Sequence, residues 1–105
     1  MNLRQLEIFC AVAEQKSFTK ATEVVYLTQP TISIQISALE EELNTRLFDR
    51  LGREVLLTKS GKILYQHALK ILEQCKKAKK EIFELNGVIR GDVSLGASNI
   101  PGEYI

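Results

Sequence analysis

The sequence predicts a mainly α-helical chain in which three short helices and a β-hairpin precede one long helix. Three patterns carry that expectation. Apolar residues recur at three-and-four spacing in "LRQLEIFCAVAEQ" and again in "QPTISIQISALEEEL". The period switches towards two in "REVLLT", after an "LG" turn signal at residues 51–52. From Thr58 to about Asn86 a heptad of apolar positions then runs through three repeats.

Composition bounds the possibilities before any motif is considered. With 105 residues, 45% of them hydrophobic, the chain can bury one modest core. No stretch of 18 apolar residues is present, and no charged-then-apolar leader opens the chain, which predicts neither a membrane span nor a secretion signal. A cytoplasmic location is expected. Cys10 and Cys75 lie far apart and form neither a C-x-x-C pair nor a metal-ligand set, so both are assigned to packing, with no metal and no cofactor. The net charge of +1 conceals a pattern: residues 1–42, 43–80 and 81–105 carry −3, +7 and −3. A basic middle between acidic ends points to a local surface for a polyanion. The run "KKAKK" at 76–80 is assigned to a solvated helix face.

In the first helix, residues 3–15, Leu6, Phe9, Cys10 and Ala13 form the buried stripe. Ser17 or Thr19 caps a second, short helix reaching about Tyr26, because a hydroxyl there accepts a bond from an otherwise orphan amide. Ala21 is small enough for another helix to cross closely. Pro30 fits the first turn of the third helix, where no amide hydrogen is needed. Ile32, Ile36, Leu39 and Leu43 then occupy one narrow arc at about 100° per residue and define its core face. Ile34 falls about 200° away from Ile32 and points outward, with Pro30 and Ser37 beside it and Thr31 and Ser33 at the margins.

In the hairpin that follows, Val55 and Leu57 alternate with Glu54 and Leu56, and Arg50 and Arg53 bracket the tip. The long helix is capped by Thr58 or Ser60 and ended by Asn86-Gly87. Leu64, Ala68, Ile71, Cys75, Ala78, Ile82 and Leu85 make its heptad seam, and a second stripe of Tyr65, Leu69 and Leu72 is available to pack on the preceding helices. No other helix of this sequence is long enough to cover the seam, so a second copy of the chain is expected there. Val93 and Leu95 alternate as in a first strand, followed by a glycine-rich loop. One strand builds no domain, so the chain is expected to be a fragment, or to end in a tail without structure of its own.

Three helices with a short turn between the second and third, then a hairpin, form a winged helix-turn-helix. In that geometry the start of the third helix enters the major groove of a duplex. Apolar contact with thymine methyls suits Ile34, Gln29 can pair with adenine edges, and Thr28, Thr31 and Ser33 can bond phosphates or bases. Glu40, Glu41 and Glu42 sit at the far end of that helix, away from the duplex. An arginine of the hairpin, Arg53 or failing that Arg50, is assigned to a narrow minor groove.

The stretches "LRQLEIFCAVAEQKSFTKAT", "LTQPTISIQISALEEELNTRLFDR" and "REVLLTKSG" resemble, in order and spacing, the LysR-type transcriptional regulators. The resemblance covers nearly all of residues 3–61. It implies a winged helix-turn-helix DNA-binding domain over residues 1–58, a linker and dimerisation helix over 59–87, and the first strand and loop of an effector-binding domain over 88–105. It further implies promoter DNA as partner, a homodimer or, at full length, a tetramer, and a small-molecule effector bound by the remainder of the protein. "RGDVSLGAS" resembles the opening of that effector domain, and Ser98 is then a candidate effector contact. Many relatives carry basic residues where this chain has Ile34 and Ser37, which shifts the expected burden of DNA contact towards Arg50 and Arg53.

Two other readings compete. "SFTK" has the S-x-x-K spacing of serine acyl-enzymes, but the partner motifs S-D-N and K-T-G are missing. His67, the one histidine, has no evident acid partner and belongs on a helix surface. "RGD" at 90–92 matches an adhesion tripeptide by chance. An enzyme is therefore not expected. A dimeric winged helix that engages a protein instead of DNA is the stronger rival, resting on the modest net charge and on Ile34.

Overall fold

A computed structural model describes residues 1–50 and 52–87. The elements follow in the order α1 (Leu3–Gln15), α2 (Phe18–Val25), α3 (Gln29–Leu43), β1 (Phe48–Asp49), β2 (Leu56–Leu57) and α4 (Lys59–Leu85). Two compact units result, the first spanning Met1–Leu72 and the second beginning at Glu73.

Each helix starts where a short polar side chain replaces a missing backbone acceptor. Asn2 accepts from the Gln5 amide at 2.8 Å while the Gln5 side chain accepts from the Asn2 amide, a reciprocal capping box. Ser17 caps α2 through the Lys20 amide at 3.1 Å. Thr58 caps α4 through the Gly61 amide at 3.0 Å. Such caps contribute about 1 kcal/mol each. The first three helices end on left-handed residues that are not glycine: Lys16, Tyr26 and Asn44, with φ near 55–58°. That conformation costs a non-glycine residue about 1–2 kcal/mol, and long-range bonds hold two of the exits. The Val55 amide donates to the Lys16 carbonyl at 3.1 Å. Arg4 donates to the Val25 carbonyl at 2.6 Å, beside the Tyr26 exit.

The core is built around α1, which buries Leu6, Ile8, Phe9, Cys10, Ala11 and Val12. That face is wider than a single stripe because α1 is covered on more than one side. Helices α2 and α3 pack against it, and the Phe9 ring also meets Tyr65 of α4, with centroids 6.5 Å apart. Phe48 stands between Phe9 and Phe18, at 5.2 and 5.9 Å, so the first strand is pinned by aromatic contacts to two helices. Burial pushes the Cys10 thiol up to about 11, with the Glu14 carboxylate adding to the shift. Burial, and then its hydrogen bond to Glu14 at 3.0 Å, pushes the Tyr65 phenol up to about 12.

Ile32, Ile36 and Leu39 are fully buried, as their shared arc predicts. Leu43 is not: it is 37% exposed, since the arc ends one turn past Leu39, where Asn44 leaves the helix. The strands pair antiparallel, Phe48 with Leu57 and Asp49 with Leu56. The pairing of Asp49 with Leu56 leaves six residues between the paired ends, more than the tight turn expected at 51–52.

The start of α4 is fastened to residues 45–47, which lead into the first strand. The Thr58 amide donates to the Leu47 carbonyl at 3.0 Å, the Thr58 hydroxyl donates to the Arg46 carbonyl at 2.6 Å, and the Thr45 and Ser60 hydroxyls bond at 3.0 Å. Gly61 makes this approach possible: a Cβ there would stand 2.2 Å from the Leu47 carbonyl oxygen. Beyond it, Leu64, Tyr65 and Leu72 pack on the core and Ala68 is wholly enclosed.

Two positions of the expected seam also pack within the chain: the small Ala68 is enclosed by the core, and Leu64 is half-buried against it. Leu69, assigned to the packing stripe, is 42% exposed instead. Ile71 is on the margin of exposure. In the second unit Cys75 is half-buried, Ala78 is exposed, and Ile82 and Leu85 are 56% and 85% exposed. The chain leaves α4 through Gly87 at φ 73°, as the Asn86-Gly87 pair predicts. The expected strand at Val93 and Leu95, Ser98, and the whole 88–105 segment lie outside the described residues.

Gly61→Ala should lower stability by roughly 1–3 kcal/mol through overpacking, although alanine is the better helix former by about 1 kcal/mol. Urea unfolding followed by circular dichroism reads the difference; an unchanged midpoint would show that α4 does not need its close approach to Leu47.

Candidate nucleic-acid interface

Once Ile32, Ile36 and Leu39 are fixed inward, helical geometry decides what α3 presents to solvent. Pro30, Ile34 and Ala38 recur every four residues and form one exposed strip, with Ser37 beside it. Ile34 is 66% exposed. Thr31 and Ser33, at the margins, are half-buried. No residue from Val24 to Leu39 carries a charge, and the acidic run begins only at Glu40. The start of this helix is thus polar, apolar and unburdened by carboxylates, with the partial positive end of the helix dipole behind it.

The polar groups differ in how free they are. Thr28 caps α3: its hydroxyl accepts from the Thr31 amide and donates to the Thr31 hydroxyl at 2.9 Å. Its side chain is therefore a structural group first. The Gln29 carbonyl oxygen accepts from the Thr19 hydroxyl at 3.2 Å, which ties α3 to α2 and leaves the two amide hydrogens of Gln29 outside that bond. Ser37 is exposed one turn beyond Ser33.

The two arginines expected to bracket the hairpin tip do different things. The Arg50 guanidinium lies over the Phe18 ring, 4.1 Å from its centroid, and so closes the aromatic cluster by a cation–π contact. Arg53 is exposed on the loop and lines a shallow recess with Asp49, Gly52, Glu54 and Leu56. Arg50 is thus engaged with Phe18 of the core, while Arg53 stands on the exposed loop.

The sequence places Glu40 only as one of three carboxylates at the far end of α3, and the structure gives it a specific task. Its side chain is 13% exposed and accepts from the Leu47 amide at 2.8 Å and the Phe48 amide at 3.4 Å, with the Arg46 Nε at 3.8 Å. One carboxylate thereby couples the recognition-helix candidate to the strand that launches the loop. The seven-residue separation carried no periodic signal that would have revealed it. Ala38 and Thr19 were also missed; Ala38 was legible from the same wheel that exposes Ile34. Among the described residues no cluster of histidine, cysteine and acidic side chains could hold a metal ion, and no helix is long and apolar enough to cross a membrane.

A helix pair joined by a short turn, backed by a third helix and followed by a looped two-stranded ladder, is a winged helix-turn-helix module. Residues 3–62 match the family described as bacterial regulatory helix-turn-helix protein, lysR family, and the chain belongs to it. It is 46% identical over 99 residues to an uncharacterized HTH-type transcriptional regulator from the ibpB-leuC intergenic region of Azotobacter vinelandii, covering 94% of this chain and 69% of that one. It is 42% identical over 96 residues to the nitrogen assimilation regulatory protein nac of Klebsiella aerogenes, covering 91% of this chain but only 32% of the relative. The chain thus spans about a third of the length of that regulator. Among solved structures, the BenM DNA-binding domain in complex with its catB site 1 DNA superposes with a TM-score of 0.79 at 40% identity, covering 82% of this chain and 97% of that one. The CbnR DNA-binding domain in complex with DNA gives 0.75 at 32% identity, covering 82% and 99%.

Glu40→Ala would strip the Leu47 and Phe48 amides of their acceptor and should cost about 1–3 kcal/mol. Glu40→Gln keeps an acceptor oxygen and should lose clearly less. Thermal unfolding of the two variants compares them; equal losses would mean that the negative charge, not the acceptor, is what the site requires.

Proposed function

We propose that this chain is the DNA-reading part of a transcriptional regulator that binds promoter duplex as a homodimer. The observation that carries the proposal is the exposed, charge-free first half of α3, held at a fixed rotation by Ile32, Ile36 and Leu39. In this reading Gln29, Pro30, Thr31, Ser33, Ile34 and Ser37 face the major groove, Thr28 shapes the helix start, and Arg53 reaches the neighbouring minor groove. Arg50 steadies the wing from Phe18. Support for a duplex as partner comes from the net charge of +3 over residues 43–75, six basic against three acidic side chains with the solvated KKAKK run set aside, and from the kinship with domains solved on DNA.

Dimerisation falls to the part of the seam that the core leaves open: Ile71, Cys75, Ala78, Ile82 and Leu85. Two copies then present two α3 helices to a roughly palindromic site. At full length, a small-molecule effector held beyond this chain would alter the spacing or bend of the bound DNA within a tetramer, and so change transcription in the cytoplasm.

Retention of random-sequence duplexes at two salt concentrations, followed by sequencing, tests the DNA reading. An interrupted palindrome is expected, with affinity falling as salt rises because phosphate contacts release counterions. No retention at either salt would contradict it and favour a protein partner. On the recovered site Arg53→Ala should weaken binding and relax the A·T preference beside the half-sites more than Arg50→Ala does; equal affinities for Arg53→Ala and the parent would remove the wing contact.

Ile82→Glu should convert dimers to monomers in analytical ultracentrifugation with little change in helix content, since Ile82 is outside the core. A dimer that survives would place the interface elsewhere.

A further inference from the structure

The strip on α3 allows the ligand to be specified more closely. Pro30, Ile34 and Ala38 offer apolar carbon only, in a row along the helix, with the small hydroxyls of Ser33 and Ser37 on one side. Three features narrow what such a row can meet. Ile34 is the sole large apolar side chain exposed over Gln29–Ala38, and the next on this helix, Leu43, lies nine residues along. A protein-docking site draws its energy from a cluster of large anchors that bury one another's surroundings, and the first ten residues of α3 offer Ile34 no such companion. No arginine or lysine stands on α3, so the bidentate donor that recognises guanine is absent from its outward face. The row is also narrow enough to enter a groove about 12 Å wide.

The one apolar group that a major groove presents is the thymine 5-methyl. We propose that Ile34, backed by Pro30 and Ala38, is a specificity-determining residue that reads a thymine methyl in each half-site. This rests on the duplex-binding reading above and adds to it a base, an atom and a residue. Guanine-rich half-sites are discriminated against because the strip supplies no donor for their paired acceptors. Gln29 then sets the adjoining position through its free amide hydrogens. The methyl group, not the base edge, is the feature sensed opposite Ile34. A cytosine carrying a 5-methyl group would offer the same carbon at the same place in the groove, whereas deoxyuridine keeps the thymine hydrogen-bond edge and removes the methyl.

The test uses the intact chain and duplexes built on the selected site, with each thymine replaced singly by deoxyuridine. At one thymine per half-site the substitution should weaken binding about fourfold, the worth of one buried methyl. In Ile34→Ala that penalty should disappear, and thymine and deoxyuridine duplexes should bind alike. Placing 5-methylcytosine at the same position, paired with guanine, should bind more tightly than unmodified cytosine to the parent and equally to Ile34→Ala. Ile34→Val, which keeps a branched apolar group and guards against a merely misfolded variant, should retain part of the discrimination. Duplex binding that is indifferent to deoxyuridine at every thymine would overturn the methyl reading while leaving DNA binding intact. A penalty that persists unchanged in Ile34→Ala would assign the methyl to another residue. Loss of all selective duplex binding by the parent would overturn the underlying function itself.

Discussion

The burial of Ile32, Ile36 and Leu39 against the helices beneath α3 is the constraint from which the exposed surface follows. A helix has one rotational degree of freedom about its axis, and three fully enclosed side chains on one arc remove it. The opposite arc is then dictated: Pro30, Ile34, Ala38 and Ser37 face outward whatever they are meant to meet. Rotating α3 by even one residue would bring Ile34 nearer the core and expose Ile32 or Ile36, exchanging well-packed contacts for a cavity. A fixed exposed face is thus a by-product of ordinary core packing, with α1 as its base and the Gln5–Gln35 and Thr19–Gln29 bonds as lateral ties.

The wing inherits its position from the same core by a different kind of interaction. Phe48 carries the first strand into the aromatic cluster with Phe9 and Phe18, and Arg50 covers the outer side of Phe18. Glu40 adds a polar bond between α3 and that strand, while Thr58 and Gly61 seat α4 against the Leu47 carbonyl. Recognition helix, wing and the beginning of α4 are therefore parts of one packed body ending at Leu72. A change of α4 in the first turns would be felt by the wing through shared backbone bonds. The placements of α3 and the wing are coupled by construction.

Much of this was legible because helical periodicity is strong. The boundaries of α1 follow from apolar spacing, the cap of α2 narrows to Ser17 or Thr19, of which Ser17 serves, and the outward direction of Ile34 follows from the wheel alone. What escaped was set by tertiary contact. The sequence ranks Arg53 ahead of Arg50 for the wing contact but gives no sign that Arg50 lies over Phe18, a contact made by residues 32 positions apart. Glu40 looks like its two neighbours until the strand amides arrive beside it. Leu64 and Ala68 continue the heptad without interruption, yet the core claims them, since a periodic stripe states that a face is buried and not by what. Leu43 shows the converse, an apolar position in register whose covering partner has ended.

The most direct measurement of the central claim is the change in backbone amide resonances of the labelled chain on adding the selected duplex. The account predicts perturbations concentrated at residues 28–38 and on the loop around Arg53, with the amides of Ile32, Ile36 and Leu39 moved little because that face stays in the core. Changes centred instead on α1 or on α2 away from its junction with α3, with 28–38 unmoved, would contradict the assignment of α3 as the reading element.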